Sequence, residues 1–300
     1  MSLLRALGAA LMLLCATVST AGPSVVDSAD RIVTLQQPAA RIVGLAPHIV
    51  ENIFSAGAGD KLVGVVSYSD YPEQAKRIPQ VGSAYAWSLE SLVALAPDLV
   101  VLWGSGNGMA SLAQLERLGI TVYVSEPRKL ADIGDSIRDI GELAGTSDVA
   151  DLRAAEFEAV ITGLKTRYDT AEPLGVFYQI WNKPLQTVNG EHMISRVIEL
   201  CGGRNVFAAE TQLAPRIGLE SALKADPQVI VASGMDVSRP EWLDDWKQYP
   251  SLRAVQNDAL LHVHPDLIQR PTMRIAEGAK DLCEKLERTY RSPARTSSTR

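Results

Sequence analysis

The sequence lacks the short motifs that mark the common classes of enzyme. It contains no phosphate-binding loop, no Gly-x-Ser-x-Gly elbow, no His-Glu-x-x-His helix and no Cys-x-x-Cys pair. Gly106-Asn107-Gly108 lacks the third glycine of a dinucleotide-binding fingerprint. Because no nucleophile–base set is visible either, an enzyme that uses Asp266 or a histidine as its acid–base group is only a remote alternative.

Histidine is scarce, and the sequence suggests one metal-binding pattern. Only four histidines occur in 300 residues, and two of them form His262-Val263-His264. Alternate residues of a strand face the same side, so the two imidazoles could bind one ion. A zinc site needs three or four ligands, however, and no further ligand is evident nearby. Hydrogen-bonded histidines at a strand end are therefore the favoured interpretation.

Long apolar runs are absent except at the N-terminus. Arg5 precedes an apolar run over residues 6–18 and the small-residue site Ser19-Thr20-Ala21. The run is shorter than the roughly 20 residues that cross a bilayer, which disfavours a membrane anchor. Cys15 follows Met12-Leu13-Leu14, whereas a lipoprotein signal has a small residue directly before the cysteine. We therefore predict a cleaved signal peptide at residues 1–21 and a periplasmic mature chain.

Positive charge is also in short supply. The chain carries 29 Lys and Arg against 35 Asp and Glu, a net charge of −6. Four of the arginines lie in the acid-free segment 288–300, and we predict a disordered tail at 289–300. The acidic balance argues against a nucleic-acid partner, because binding the phosphate backbone needs a basic surface. It is compatible with docking onto a basic partner.

Cysteine is rare, and the signal peptide would remove one of the three. Cys201 and Cys283 remain in the mature chain. An even pair in an exported protein is a candidate disulfide, and two buried free thiols are the alternative.

Short β-rich runs alternate with helical patterns along most of the chain. This alternation predicts parallel sheets covered by helices on both faces. The predicted strands cover residues 41–45, 62–66, 99–103, 121–124, 174–180, 229–232 and 260–263, and the predicted helices between them include 48–56, 89–95 and 110–118.

One longer helix is predicted at residues 147–170, about 30 Å at 1.5 Å per residue. It has no internal proline, and Pro173 follows it. This helix would join an N-terminal lobe at 22–146 to a C-terminal lobe at 171–288.

The second half of the sequence repeats features of the first. Leu89-Glu90-Ser91 stands six residues before Pro97, and Leu219-Glu220-Ser221 stands six before Pro227. His48 and His192 likewise open segments that end in glycines. Internal similarity of this kind indicates two Rossmann-like lobes with the same topology. Since α/β proteins bind ligands at the carboxyl ends of their strands, we predict a ligand cleft between the lobes.

Several of the few aromatic residues follow predicted strands, where such a cleft is built. Flat rings suit a large, flat, partly apolar ligand, and burial in the core or packing at the surface is the alternative for each ring. The group comprises Tyr68, Tyr71, Tyr85, Trp87, Trp103 and Trp181.

Four features of the sequence keep one order along the chain: the runs 68–72, 88–100 and 197–207, and the final pair Asp266 and Arg270. They resemble the periplasmic cobalamin-binding family of ABC importers, within the helical-backbone class (class III) of substrate-binding proteins. This class also serves haem and ferric siderophores, and the resemblance spans about residues 41–286. It implies a non-enzymatic carrier that captures cobalamin or a relative such as cobinamide and delivers it to a membrane permease, with no cofactor of its own.

The resemblance also implies roles for individual residues. Tyr68 and Trp103 match aromatic positions of the corrinoid pocket, and Asp266 and Arg270 match positions that hydrogen-bond the corrin amides. Trp181 lies beside an aromatic-bearing segment of the family. Four further residues match positions outside the pocket: Cys201 and Cys283 match the family's disulfide, and Glu90 and Glu220 match two acidic residues that dock on permease arginines.

Two positions depart from the family's pattern. Ala84 stands where the family has a pocket tryptophan, and the aromatic residues Tyr85 and Trp87 are displaced from that position. His48 replaces a small residue after Pro47, at a helix start that we expect to face the cleft. Neutral imidazole is a common ligand of transition metals, so one hypothesis makes His48 an axial ligand of the bound chelate. The alternative is an ordinary histidine at a helix start.

Overall fold

A computed structural model describes residues 22–170, 172–234 and 238–291. The predicted signal peptide, Cys15 and the tail beyond residue 291 lie outside the described residues. Within the described ranges, no helix is both long enough and apolar enough to cross a membrane.

The N-terminal lobe is built on a four-stranded parallel sheet. An antiparallel hairpin, β1 (Ser24–Val26) and β2 (Ile32–Thr34), precedes it. The sheet has the order β4-β3-β5-β6. Its strands are β3 (Ile42–Gly44), β4 (Leu62–Gly64), β5 (Leu99–Trp103) and β6 (Val122–Ser125), and the helices are α1 (Pro47–Ser55), α2 (Leu89–Ala94), α3 (Gly104–Asn107), α4 (Met109–Glu116) and α5 (Leu130–Ala144).

The C-terminal lobe repeats this arrangement after the long helix α6 (Ser147–Tyr168). Its parallel sheet has the order β10-β7-β11-β12, in which each strand takes the place of its counterpart in the first sheet. The strands are β7 (Leu174–Gln179), the hairpin β8 (Trp181–Asn182) and β9 (Leu185–Gln186), β10 (Gly203–Asn205), β11 (Val229–Ala232) and β12 (Leu260–His262), and the helices are α7 (Met193–Leu200), α8 (Leu219–Ala225), α9 (Arg253–Gln256), α10 (Pro265–Ile268) and α11 (Ile275–Tyr290). The predicted α/β fold with two similar lobes is confirmed.

The apolar core has three parts, because alternate residues of each strand face opposite sides of its sheet. One face of each sheet contributes to a continuous apolar cluster that reaches from Ile42 and Val101 to Val176 and Val229. The opposite faces pack into a separate cluster in each lobe. The lobes are therefore held together by a shared core as well as by the connecting helix α6.

Helix α5 was not among the predicted helices, and it packs along α6. Two glycines allow the close approach: a Cβ at Gly141 would lie 2.3 Å from Cβ of Ala150, and one at Gly134 would lie 2.9 Å from Oε1 of Glu158. A further difference lies at the C-terminus, where α11 continues to Tyr290. Residues 289 and 290, which the sequence places in the predicted tail, are thus helical.

Candidate functional site

Three side chains predicted for the site lie in direct contact at the strand ends of the N-terminal lobe. The ring centroids of His48 and Trp103 are 5.1 Å apart with their planes nearly perpendicular, and those of Tyr85 and Trp103 are 6.2 Å apart. His48 is in the first turn of α1 and Trp103 ends β5. The fold therefore brings residues from three separate segments of the chain into one cluster, here called the aromatic cluster.

Asn107 and Gly106 position this cluster, and the sequence analysis missed both roles. The backbone N–H of Trp103 donates to Oδ1 of Asn107 at 2.6 Å, and Nδ2 of Asn107 donates to the carbonyls of Ala84 and Leu45. A Cβ at Gly106 would lie 1.9 Å from Cε3 of Trp103, so only glycine leaves room for the indole there. The Gly-Asn-Gly run was the available signal, since such a run predicts special backbone geometry.

An ion cluster joins the two lobes beside the aromatic cluster. Nη1 of Arg270 lies 2.8 Å from Oε1 of Glu51 and 3.0 Å from Oδ1 of Asp70, and its Nε lies 3.1 Å from Asp266. Arg274 makes two further hydrogen bonds to Glu51. Glu51 is buried on α1, so a buried carboxylate of the N-terminal lobe pairs with two arginines of the C-terminal lobe.

The ion cluster involves two residues that were predicted to contact ligand, Asp266 and Arg270. The structure brings them together as an ion pair, as their helical spacing allows. It also engages Arg270 with Glu51 and Asp70, which the sequence analysis did not anticipate. A ligand amide would have to share this guanidinium with carboxylates that already hold it.

His48 is buried, and one of its ring nitrogens has no partner. Its side chain is 5% exposed, and Nε2 is inaccessible to solvent and lacks a hydrogen bond. Burial and the nearby positive charge of Arg270 lower the pKa of His48 to about 3. The imidazole is therefore neutral at physiological pH.

The remaining predicted aromatic residues are dispersed. Tyr68 has a left-handed backbone, with φ of 65°, and its side chain is exposed. Trp87 is half-buried against the outer core of the N-terminal lobe. Trp181 lies on the β8–β9 hairpin of the other lobe and donates from Nε1 to the carbonyl of Lys183 at 3.1 Å. Tyr71 packs its ring on the Arg274 guanidinium, 4.0 Å from the ring centroid.

Glu90 and Glu220 occupy matching places in the two lobes. Each lies in the first turn of its helix, Glu90 on α2 and Glu220 on α8, and each is exposed. The duplicated topology relates the two helices, because each precedes the equivalent strand, β5 or β11. The two lobes thus present a pair of carboxylates in equivalent positions.

The cysteines and the remaining histidines that the sequence analysis singled out lie away from the aromatic cluster. Cys201 and Cys283 form a disulfide that links the end of α7 to α11. Nε2 of His262 lies 3.3 Å from the carbonyl oxygen of Ser233, and Nδ1 of His264 accepts from the N–H of Asp266. In the described part of the chain, no group of three His, Cys, Asp or Glu side chains is arranged to hold a metal ion.

A cavity of about 340 Å³ lies where α6 meets the start of α11. Tyr71 of the predicted aromatic group lines it together with Phe157 and Arg274, whereas none of the other side chains predicted to bind ligand does. The predicted ligand-binding residues that the structure brings together lie outside this cavity, at the aromatic cluster and the ion cluster.

Comparison with known proteins places this chain among binding proteins. A family model described as periplasmic binding protein matches residues 42–267. The vitamin B12-binding protein of Vibrio campbellii is 37% identical over 250 residues, which cover 83% of this chain and 90% of that protein. The vitamin B12-binding protein of Vibrio cholerae serotype O1 is 36% identical over the same shares of the two chains.

Solved structures agree with this assignment. The crystal structure of periplasmic vitamin B12 binding protein BtuF of Vibrio cholerae superposes with a TM-score of 0.78 at 35% identity, covering 85% of this chain and 99% of that one. The periplasmic haem-binding protein RhuT from Roseiflexus sp. RS-1 gives a TM-score of 0.72 at 23% identity, covering 84% and 99%. At that lower identity the second likeness concerns the fold alone.

Proposed function

This chain belongs to the periplasmic binding protein family, and from that premise we propose that it captures cobalamin or a related corrinoid in the periplasm and delivers it to an ABC importer. The observation that carries the proposal is the identity of 36–37% to vitamin B12-binding proteins over nearly the whole mature chain. The relatives are named for binding, and we propose a carrier without enzymatic activity.

The ligand-binding surface is proposed to extend from the aromatic cluster to the cross-lobe arginines. The faces of Tyr85 and Trp103 would cover the apolar parts of a corrin ring, because flat aromatic side chains bury large areas at a small cost in conformational entropy. Tyr68, Trp87 and Trp181 would extend the contact around the rim. Asp266 and Arg270 would hydrogen-bond the amides at the periphery of the corrin.

The permease is proposed to dock through Glu90 and Glu220. Both carboxylates are exposed and occupy equivalent positions in the two lobes. A partner with two similar subunits would present two similar basic contacts, so matched carboxylates would set the orientation of the complex. Rim charges of this kind also accelerate encounter, and the effect weakens as salt rises.

Export is part of the proposal, with residues 1–21 removed as a signal peptide. The Cys201–Cys283 disulfide supports it, because disulfides persist in oxidising compartments such as the bacterial periplasm.

A haem or ferric-siderophore carrier of the same class is the alternative. The neutral, buried His48 favours haem as the specific competitor, because neutral imidazole is a common ligand of iron.

Calorimetric titration of residues 22–300 with cyanocobalamin, cobinamide, haemin and a ferric siderophore tests the proposal. We expect one-to-one binding of a corrinoid, and we expect Tyr85→Ala to weaken it about tenfold, or 1.4 kcal/mol, through lost ring contact. Leu118→Ala removes an exposed apolar side chain outside the site and should leave affinity unchanged. If the protein bound only haemin or only the siderophore, the proposal of a corrinoid carrier would be wrong and the alternative carrier would be supported. Chemical turnover of a bound ligand would contradict a carrier without enzymatic activity.

A further inference from the structure

Two buried polar atoms without hydrogen-bond partners lie on the face of α1 that approaches the other lobe. They are Nε2 of His48 and Oδ1 of Asn52. His48 and Asn52 are four residues apart on α1 and so share a face of the helix. Nδ2 of Asn52 donates to the carbonyl of Pro271, which places this face against the C-terminal lobe.

Leaving a buried polar atom unpaired costs about 1–3 kcal/mol, so natural proteins keep few of them. The cost is tolerated where the atom has a partner in a functional state of the protein. For Nε2 of His48 the candidate partners are a hydrogen-bond donor or a metal ion.

His192, at the equivalent position in the other lobe, is an example of a histidine with a structural role. His192 precedes α7 as His48 begins α1, and Nδ1 of His192 accepts a hydrogen bond from the N–H of Ile194. That bond caps the helix, so His192 has a local role. The helix at His48 begins instead with Pro47, and no side-chain cap is formed.

The surroundings of His48 connect it to the proposed ligand surface. Trp103 lies edge-on to the imidazole, Tyr85 lies against Trp103, and Arg270 is close enough to lower the pKa of His48. Tyr85 is 79% exposed, so the outer layer of this cover is a surface side chain. A shift of the two rings that keeps them in contact with a flat ligand would expose Nε2 to the face of that ligand.

We propose that Nε2 of His48 coordinates the cobalt of the bound corrinoid at an axial position, an inference that rests on the proposed function and specifies its substrate class. An axial water leaves the cobalt, and the nitrogen lone pair forms the new bond. The oxidation state does not change, and the proton of the neutral ring resides on Nδ1. The chain therefore prefers corrinoids with an exchangeable axial ligand, such as aquacobalamin and diaquacobinamide, over cyanocobalamin.

Electron paramagnetic resonance of the wild-type chain loaded with cobalt(II) cobinamide is the decisive measurement, because this corrinoid has no nucleotide base to donate a nitrogen. One coordinating imidazole nitrogen splits the cobalt lines into triplets. Labelling the protein with ¹⁵N-histidine should change each triplet to a doublet. Bound cobinamide with no nitrogen splitting would overturn the inference while leaving corrinoid binding intact.

Matched variants give an independent test by absorption and calorimetry. His48→Gln should shift the visible spectrum of bound diaquacobinamide and lower its affinity about tenfold or more, with little effect on cyanocobalamin. His192→Asn, which keeps a helix-capping side chain, should change neither. Equal losses for both corrinoids in His48→Gln would indicate a packing role and overturn the inference. Failure of the wild-type chain to bind any corrinoid would instead overturn the proposed function.

Discussion

Arg274 donates two hydrogen bonds to Glu51, from Nε to Oε2 at 2.9 Å and from Nη2 to Oε1 at 2.8 Å, and so joins the C-terminal lobe to helix α1 of the N-terminal lobe. The paired geometry matches the fork of a guanidinium to the two oxygens of a carboxylate. Arg270 adds a third bond to the same carboxylate. One buried side chain thus adds a polar connection between the two lobes, beside the proposed ligand surface, to the shared core and helix α6.

Removing the charge of Glu51 should destabilise the protein. Glu51→Gln leaves two largely buried arginines without their principal anion, and breaking a buried ion pair on one side costs roughly 3 kcal/mol. We expect a loss of this size in the free energy of unfolding measured by urea titration.

Glu158→Gln is the matched control for that variant. Glu158 also accepts two hydrogen bonds from one arginine, Arg138, but the pair is partly solvated on the surface of α5 and α6. Exposed pairs contribute about 1 kcal/mol or less. Equal losses in the two variants would mean that the cross-lobe cluster contributes no more than a surface ion pair.

The sequence predicted the fold far better than it predicted this cluster. Alternating strands and helices, together with the repeated Leu-Glu-Ser and Pro segments, are local patterns, and they were sufficient to predict two similar lobes. Glu51 and Arg274 are 223 residues apart, and nothing local relates them. A charged residue among the apolar positions of α1 was the only hint, because buried glutamates need partners.

Helix α5 and the aromatic cluster illustrate the other limits. Ile133, Ile137 and Ile140 follow a helical period, but Gly134 and Gly141 weakened that signal; the structure uses both glycines for close packing on α6. The sequence placed Tyr85 and Trp103 among the candidate site residues, but only folding brings them into contact. The contact depends on Asn107, whose side chain ties three loops together.

The disulfide should contribute much of the global stability. Cys201 and Cys283 are 82 residues apart in the sequence. In the chain-entropy model, closing a loop of that length lowers the entropy of the unfolded chain and stabilises the fold by about 4 kcal/mol. The double variant Cys201→Ala, Cys283→Ala should lose about this amount in urea unfolding.

Reduction of the wild-type protein provides the control for that variant. Dithiothreitol should lower the stability of the wild-type chain to nearly that of the double variant and leave the double variant unchanged. If the double variant were as stable as the oxidised wild type, the cross-link would not stabilise the fold by lowering the entropy of the unfolded chain.

Acid should destabilise the protein in part through His192. Burial and the positive charge of Arg128 lower the pKa of His192 to about 4, against 6.5 for an unperturbed histidine. Between these values the unfolded chain binds a proton that the folded chain does not, so stability decreases as the pH falls. The maximal slope from one group is about 1.4 kcal/mol per pH unit.

His192→Asn isolates this contribution. The variant should match the wild type in the pH dependence of unfolding above pH 7 and lose stability less steeply between about pH 6 and pH 4. The measurement is the free energy of urea unfolding at each pH for both proteins. Parallel curves through the acid range would show that His192 titrates alike in the folded and unfolded chains.

Charge reversal at Glu90 and Glu220 should separate delivery from capture. Both side chains are exposed and lie apart from the aromatic cluster, so Glu90→Lys and Glu220→Lys should leave stability and corrinoid affinity nearly unchanged. Each should slow the uptake of labelled cyanocobalamin by proteoliposomes that contain the cognate importer, and the double variant should slow it most. Because the two contacts would be equivalent, the single variants should have similar effects, and these should diminish at high salt as steering is screened. Asp60→Lys, at another exposed carboxylate of the N-terminal lobe, serves as the control for altered net charge. Equal inhibition by this control, or full uptake with the double variant, would contradict docking through the paired carboxylates.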